Sequence, residues 1–279
     1  AMAYLTAICE IGPRQSGSPG MLKQQKMLAD HFTSLKGKVS MQRFAVRHPV
    51  DGSRVEMANM IVEWHPERRE RILICAHYDT RPYPDQDRDN PKGRFIGAND
   101  GASGPALFSE LGKYMPGLQS RYGVDFVLFD GEEFVFDQQD KYFLGSEFFA
   151  REYKTNPPAH RYVYGVLVDM IADAELHLYF EKNSMRWRDT RPLTRDIWKT
   201  ANRLGVREFV PRVRHEVRDD HLALHDIAGI PTCDIIDFDY PRPGRVNYWH
   251  TRQDTPDKCS ALSLAKVGWV LLEWLKQQK

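Results

Sequence analysis

The chain has 279 residues, 42% hydrophobic and 28% charged, with 39 Lys and Arg against 38 Asp and Glu. A formal charge of +1 gives no general attraction to nucleic acid or an anionic membrane, and neither is expected as a partner. No apolar run reaches the ~20 residues of a membrane-spanning helix, and no charged-then-apolar leader is read at the N-terminus.

Taken in chain order, helical periodicity is read over residues 20–35. The basic run His65, Arg68, Arg69 and Arg71 reads as a solvated loop before a strand. Short apolar runs rich in β-branched and aromatic residues predict strands over 71–77, 123–130, 163–169 and 230–237. Between and after them, helices are predicted over 105–115, 146–153, 193–204, 221–228 and 260–276. In the last, Leu264, Val267, Leu271 and Leu275 recur at helical spacing, and Trp269 and Trp274 read as packing residues. The alternation implies an α/β fold, a largely parallel sheet covered by helices, in a single domain spanning 1–279. The four cysteines match neither a zinc knuckle nor a dense disulfide framework. None is read as catalytic, and their disulfide status stays open.

Three of the four predicted strands end in polar chemistry: His77 with Asp79, Asp130 followed by Glu132 and Glu133, and Asp169. In open α/β sheets ligands bind outside the carboxyl ends of the strands, so these residues point to one site. Further clusters lie at Asp100, flanked by Gly97, Gly101 and Gly104, at Arg218-Asp219-Asp220-His221, and at Tyr248-Trp249-His250-Thr251. Zinc takes nitrogen from His and oxygen from Asp or Glu, and a catalytic site keeps one position open. Adjacent Glu132 and Glu133 point in different directions, so one can bind metal while the other, shielded from water, transfers protons. Plainer readings stand beside these. An isolated Glu-Glu or Asp-Gly is usually a solvated turn, and an isolated His after a strand is usually hydrogen-bonded structure. Asp79 is read as orienting His77, and His221 as holding its own loop. No role is given to His160, His177, His215 or His225. The proline-bearing loop 81–95 is expected over the site, and 238–247 at its entrance.

The ordered set His77-x-Asp79, Asn99-Asp100-Gly101-Ala102-Ser103-Gly104, Glu132-Glu133, Asp169 and His250-Thr251 resembles the zinc exopeptidase superfamily of bacterial zinc aminopeptidases and animal-type glutaminyl cyclases. The resemblance runs from Ile11-Gly12-Pro13-Arg14 to the C-terminal helix. It implies a three-layer sandwich, with a central mixed, mostly parallel twisted sheet covered by helices on both faces. In the aminopeptidases it implies two zinc ions. Asp100 would bridge them, Glu133 and His250 would complete one site, His77 and Asp169 the other, and Glu132 would be the general base. In the cyclases it implies one zinc, at Asp100, Glu133 and His250.

Three features resemble the cyclases more closely. Trp249 precedes His250 as in their Trp-His-Thr. Asp219-Asp220-His221 stands where peptidases commonly show Ser-Asp-His. The stretch from His77 to Pro82, followed by Asp85-Gln86-Asp87, looks like the bacterial cyclase-like branch. Segment 134–142 departs from the animal enzymes, and Phe136 is the candidate substitute for their active-site tryptophan. On this resemblance the substrate is a peptide or protein N-terminus beginning with glutamine. Glu132 moves the proton, Asp169 and Asp219 hold the intermediate, and Trp249 walls the pocket. A di-zinc aminopeptidase is the alternative. A monomer is expected, and periplasmic or secreted placement follows from related bacterial enzymes. A binding domain that kept the fold without the chemistry would have lost a ligand or Glu132; all are present.

Overall fold

The structure is a computed structural model that describes residues 1–242 and 247–279. In chain order it consists of α1 (Met2–Glu10), α2 (Pro19–Ser34), β1 (Lys38–Arg47), β2 (Arg54–Trp64), β3 (Glu70–His77), α3 (Ser103–Leu111), β4 (Gly123–Phe129), α4 (Leu144–Thr155) and β5 (Arg161–Asp169). There follow β6 (Leu178–Phe180), α5 (Lys182–Arg186), α6 (Arg191–Arg203), β7 (Phe209–Val213), α7 (Asp220–Asp226), β8 (Thr232–Ile236) and α8 (Ala261–Gln277). The six-stranded sheet has the order β1-β2-β4-β3-β5-β8, and β6 pairs with β7 in a small separate sheet.

The four strands expected from their apolar runs form the parallel centre: β4, β3, β5 and β8. Side chains alternate across a strand, and this splits the apolar residues between two faces. Ile72, Ile74, Phe126, Leu128, Val166, Val168, Cys233 and Ile235 pack in one cluster with residues of α1, α2, α3, α6 and α8. Leu73, Cys75, Val127, Phe129 and Leu167 pack on the other side with Phe149 of α4 and Leu224 of α7. Each such large apolar side chain contributes about 1.5–3 kcal/mol on burial. The result is helix, sheet, helix, with a mixed and mostly parallel sheet in the middle. All four cysteines are free thiols.

Antiparallel β1 and β2 extend the sheet beyond β4. They were not foreseen because β1 is exposed at every second position for most of its length, and its polar residues dilute the apolar signal. Their turn closes with His48 N–H donating to the Ser53 carbonyl at 2.8 Å. Helix starts follow capping chemistry: Ser18 accepts from Met21 N–H with Pro19 in the first turn, and Ser260 accepts from Leu262 and Ser263 N–H.

The basic run corrects one expectation. Arg71 is not in a solvated loop; it sits in β3 and is fully buried. Its Nε lies 3.0 Å from both oxygens of Asp125 on the parallel neighbour β4. Its other nitrogens donate to the carbonyls of Trp64, His65, Arg68 and Val124, and Tyr162 Oη donates to Asp125 Oδ2 at 2.6 Å. Desolvating two charges is tolerable only when every remaining donor and acceptor is used, and here the strand-start carbonyls supply the acceptors. This network pins the amino ends of the parallel strands, opposite the polar residues at their carboxyl ends. Asp125→Ala leaves the guanidinium unpaired in the core and should cost about 3–5 kcal/mol, read as a lower denaturant midpoint. Replacing Arg71 and Asp125 together by apolar residues of similar volume should cost much less.

Candidate functional site

The carboxyl ends of β3, β4 and β5 deliver His77, Asp130 with Glu132 and Glu133, and Asp169 to one place. Asp100 arrives from the glycine-bearing loop before α3. Gly101 has φ +96°, and a Cβ there would stand 2.3 Å from the Asp79 carbonyl oxygen, so the close approach requires glycine. The loop is fixed by Asp254, whose carboxylate accepts from Asn99 N–H at 2.8 Å, Asp100 N–H at 3.1 Å and Tyr240 Oη at 2.8 Å. His250 comes from the loop after β8 with φ +56°, a left-handed backbone that costs a non-glycine residue of order 1–3 kcal/mol.

Asp79 does more than face His77. Its Oδ1 is 3.6 Å from His77 Nδ1, but its two oxygens also accept Glu132 N–H at 3.2 Å and Glu133 N–H at 3.0 Å. It therefore holds the turn that sends the two glutamates in different directions. Asp130, one turn earlier, accepts from Ser16 Oγ at 2.6 Å and Ala58 N–H at 2.9 Å.

Three overlapping ligand sets result: Asp100, Glu133 and His250; His77, Asp100 and Asp169; and His77, Glu132 and Glu133. His250 Nε2 lies 2.8 Å from Glu133 Oε1 and 3.5 Å from Asp100 Oδ2. His77 Nε2 lies 3.2 Å from Asp100 Oδ1 and 3.2 Å from Asp169 Oδ1. In each set one donor atom per residue falls within 4.8 Å of the others. Asp100 Oδ2 and Glu133 Oε2 are buried with no hydrogen-bond partner among the described residues. Orphaned carboxylate oxygens are costly in a protein interior. Two of them beside an imidazole form the nitrogen and oxygen donor set that zinc takes, so the residues fit a metal ion.

Electrostatics separates the two glutamates. Burial drives Glu132 well above the ordinary carboxylate range; His77 opposes this, and Glu133, Asp220 and Asp219 add to it. Burial would also raise Glu133, but His250 and Arg81 outweigh it and hold that carboxyl at about 2. Asp219 is pushed well up by burial, then by Asp169 and Asp220. Its Oδ1 accepts the N–H of Asp220 at 2.6 Å as the cap of α7. Its Oδ2 is buried without a partner.

These groups floor a cavity of about 320 Å³ whose walls include Tyr142, Phe143, Val217, Ile236, Phe238 and Trp249. Trp249 stacks on His250 with ring centroids 3.7 Å apart, and Phe238 meets Trp249 edge-on at 5.4 Å. Asp100, Glu132, Glu133, Asp169, Asp219, Trp249 and His250 thus line one cavity, with His77 beneath it, joined to Asp100 and Asp169.

Phe136 does not belong to this wall, which corrects the expectation. Asp140 accepts the N–H of Phe136 and of Asp137, each at 2.8 Å. That turn packs Phe136 against Phe134 at 5.1 Å and His48 at 4.5 Å, under the unforeseen β1–β2 hairpin. Tyr142 and Phe143 take the wall instead. His221 is buried between Glu181 at 3.5 Å and Asp234 at 3.8 Å, outside the cavity. Of segment 238–247, Phe238 lines the cavity, and residues 243–246 lie outside the described residues.

Sequence reasoning gave no role to Arg81, Asp85 or Asp254. Arg81 bridges Glu133 at 3.0 Å and Asp85 at 3.0 Å, and Asp85 reaches His250 Nδ1 at 3.4 Å. Loop 81–95 therefore supplies partners to two candidate ligands. Its prolines placed the loop over the site, but the partners of Arg81 and Asp85 had no signal beyond their own spacing of four residues.

With this geometry in place, three kinds of comparison agree. The model of Peptidase family M28 matches residues 59–275. The glutaminyl-peptide cyclotransferase of Gloydius blomhoffii is 26% identical, over 94% of this chain and 77% of its own. The crystal structure of Fimbriiglobus ruber glutaminyl cyclase is 42% identical, with a TM-score of 0.93, covering 100% of this chain and 94% of that one. A Zn-dependent exopeptidase from Parabacteroides distasonis superposes with a TM-score of 0.90 at 29% identity, over 99% of this chain and 96% of that one.

Burial and then Asp79 raise Asp130 to about 7, against ~3.9 for an unfolded aspartate. Between these values the unfolded chain gives up a proton that the folded chain keeps, so stability falls as pH rises from about 4 to 7 and levels off above. In metal-free protein, Asp130→Asn should flatten that fall by up to about 1.4 kcal/mol per pH unit, read from denaturation midpoints across the window. An unchanged slope would show that Asp130 ionises normally in the folded state.

Proposed function

The chain belongs to peptidase family M28, and within it we propose a zinc-dependent glutaminyl-peptide cyclotransferase that converts N-terminal glutamine to pyroglutamate and releases ammonia. The observation that carries the reading is that Asp219 and Asp169 line one small cavity with Glu132, under an aromatic wall in which Trp249 stacks on His250. Two carboxyls lining one cavity could hold the reacting groups between them, a use of Asp169 other than metal ligation. Proteins resembling this chain over its whole length and bearing the cyclase name support the same reading.

One zinc ion would be held by Asp100, Glu133 and His250. When bound there, zinc supplies Lewis-acid polarisation of a carbonyl oxygen. The substrate's α-amine attacks its own side-chain amide carbon, a ring closes, and the C–N bond to the amide nitrogen breaks. Glu132, kept basic enough to accept a proton by its buried position, takes one from the attacking amine and delivers it to the departing nitrogen. Asp219 and Asp169, both lining the cavity, bind and orient the reacting groups. Trp249 and Phe238 exclude water, which at this carbon would yield glutamate instead of the ring. Intramolecular attack is intrinsically favoured, and that leaves positioning and charge stabilisation as the protein's share.

A second reading has one observation in its favour. His77, Asp100 and Asp169 form a ligand set sharing Asp100 with the first, the arrangement that a di-zinc aminopeptidase would use.

Zinc content measured together with ammonia release from a glutamine-initiated peptide separates the readings. One zinc per chain with ammonia is the expected result. Two zinc ions, no ammonia and cleavage of the first residue would replace it. Glu132→Gln should keep the zinc and lower kcat by roughly 10²- to 10⁴-fold. Full activity in that variant would remove Glu132 from the proton path.

A further inference from the structure

The floor of the cavity is acidic, and its mouth is not. Between β7 and α7, Glu216, Val217 and Arg218 form one side of the opening. This segment is held rigidly. Val217 N–H donates to Glu181 Oε1 at 3.2 Å, Asn183 Nδ2 donates to the Val217 carbonyl at 3.3 Å, and Asp219 caps the helix that follows. Every acidic side chain of the adjacent stretches is engaged: Glu216 with Arg186 at 2.7 Å, and Asp239 with Arg214 at 2.8 Å and His215 at 3.1 Å. Arg218 is exposed and forms no ion pair or hydrogen bond among the described residues. The opposite side of the mouth is aromatic, from Tyr142, Phe143, Phe238 and Trp249. Among the described residues the opening therefore carries, at Arg218, a positive charge without an ion-pair partner on a fixed backbone.

A peptide whose N-terminal residue reacts on the floor must leave through this mouth. Its second or third residue then passes Arg218. We propose that Arg218 is a specificity-determining residue and that the preferred substrates are peptides carrying an acidic side chain at the second or third position. The proposal rests on the cyclotransferase reading above. The floor recognises the cationic or polar N-terminus, and the rim recognises an anion one or two residues later, so the cavity selects by the spacing of opposite charges. The contact is solvent-exposed, and its effect is modest and screened by salt. It is made equally in ground and transition states, so it acts on KM rather than kcat.

The test compares kcat and KM for three tripeptide amides, Gln-Glu-Ala, Gln-Gln-Ala and Gln-Lys-Ala, by ammonia release. The unmodified protein should favour the Glu peptide over the Lys peptide by about five- to ten-fold, as an exposed charge contact allows. The preference should lie in KM and shrink between 50 mM and 0.5 M salt. Arg218→Gln should level the three peptides, and Arg218→Glu should invert the order, with melting temperatures checked to show that both variants fold. Equal KM for the Glu and Lys peptides, or an unchanged order in Arg218→Glu, overturns the proposal while ammonia release keeps the reaction in place. Release from none of the three peptides overturns the reaction itself, and the substrate preference with it.

Discussion

Asp79, Asp100, Asp130, Glu132, Glu133, Asp169, Asp219, Asp220 and Asp254 crowd one end of the parallel strands, and all but Glu132 and Asp169 are buried. Like charges out of water repel strongly, and each also loses its hydration. The fold meets this constraint in several ways at once. Asp79 and Asp254 are satisfied by backbone N–H groups of the loops they anchor. Arg81 offsets Glu133 directly. The buried Arg14 donates to the carbonyls of Gly12, Ile96 and Gly97 and brings its charge beside the Asp100 loop. Asp130, Asp220 and Asp254 are each pushed up to about 7, and they escape the repulsion by keeping their protons. Asp100 Oδ2 and Glu133 Oε2, like Asp219 Oδ2 and both Asp220 oxygens, remain without a hydrogen-bond partner among the described residues, and beside His250 a cation would offset the first two.

This arrangement explains the division of labour between adjacent glutamates. Chain neighbours share a backbone but not an environment. Asp79 fixes the turn, and Glu133 is thereby turned toward Arg81 and His250, while Glu132 is left to the buried side with His77 at 3.7 Å. One becomes a strong anion, and the other is driven up toward its protonated form. Environments that push two titratable groups apart are how one site holds both a charge anchor and an acid/base.

Much of this was legible in the chain, and the limits are physical. The parallel strands announce themselves because both of their faces are buried and their apolar runs are unbroken. The β1–β2 hairpin is hidden by its alternating polar positions, and β6 spans only Leu178–Phe180, too short for any period to register. The functional residues at strand ends were legible because position in an α/β sheet carries meaning. Arg81, Asp85 and Asp254 were not, since their partners lie on other loops and only the assembled topology brings them together. Arg71 was misread for the same reason: its charge suggested water until Asp125, 54 residues on, came alongside. Phe136 failed differently. The resemblance to the animal enzymes suggested it as a substitute for their active-site tryptophan, but a turn capped by Asp140 sends the ring to the hairpin and leaves the wall to Tyr142 and Phe143.

The same topology bears on the choice between attack by water and attack by the substrate's own amine. Both reactions need a polarised carbonyl and a carboxyl that accepts a proton, and Glu132 serves either. They differ in what stands across the cavity. Hydrolysis needs a route for water and gains from a second cation. At His77, Asp100 and Asp169 the geometry would admit one, and a second buried carboxyl, Asp219, lines the same cavity. Burial and then Asp169 push that carboxyl up, so it is available as a hydrogen-bonding group for a bound substrate. With Trp249 stacked over His250 and Phe238 closing against it, the cavity is small, aromatic-walled and lined by carboxyls. Those features favour a substrate that brings its own nucleophile.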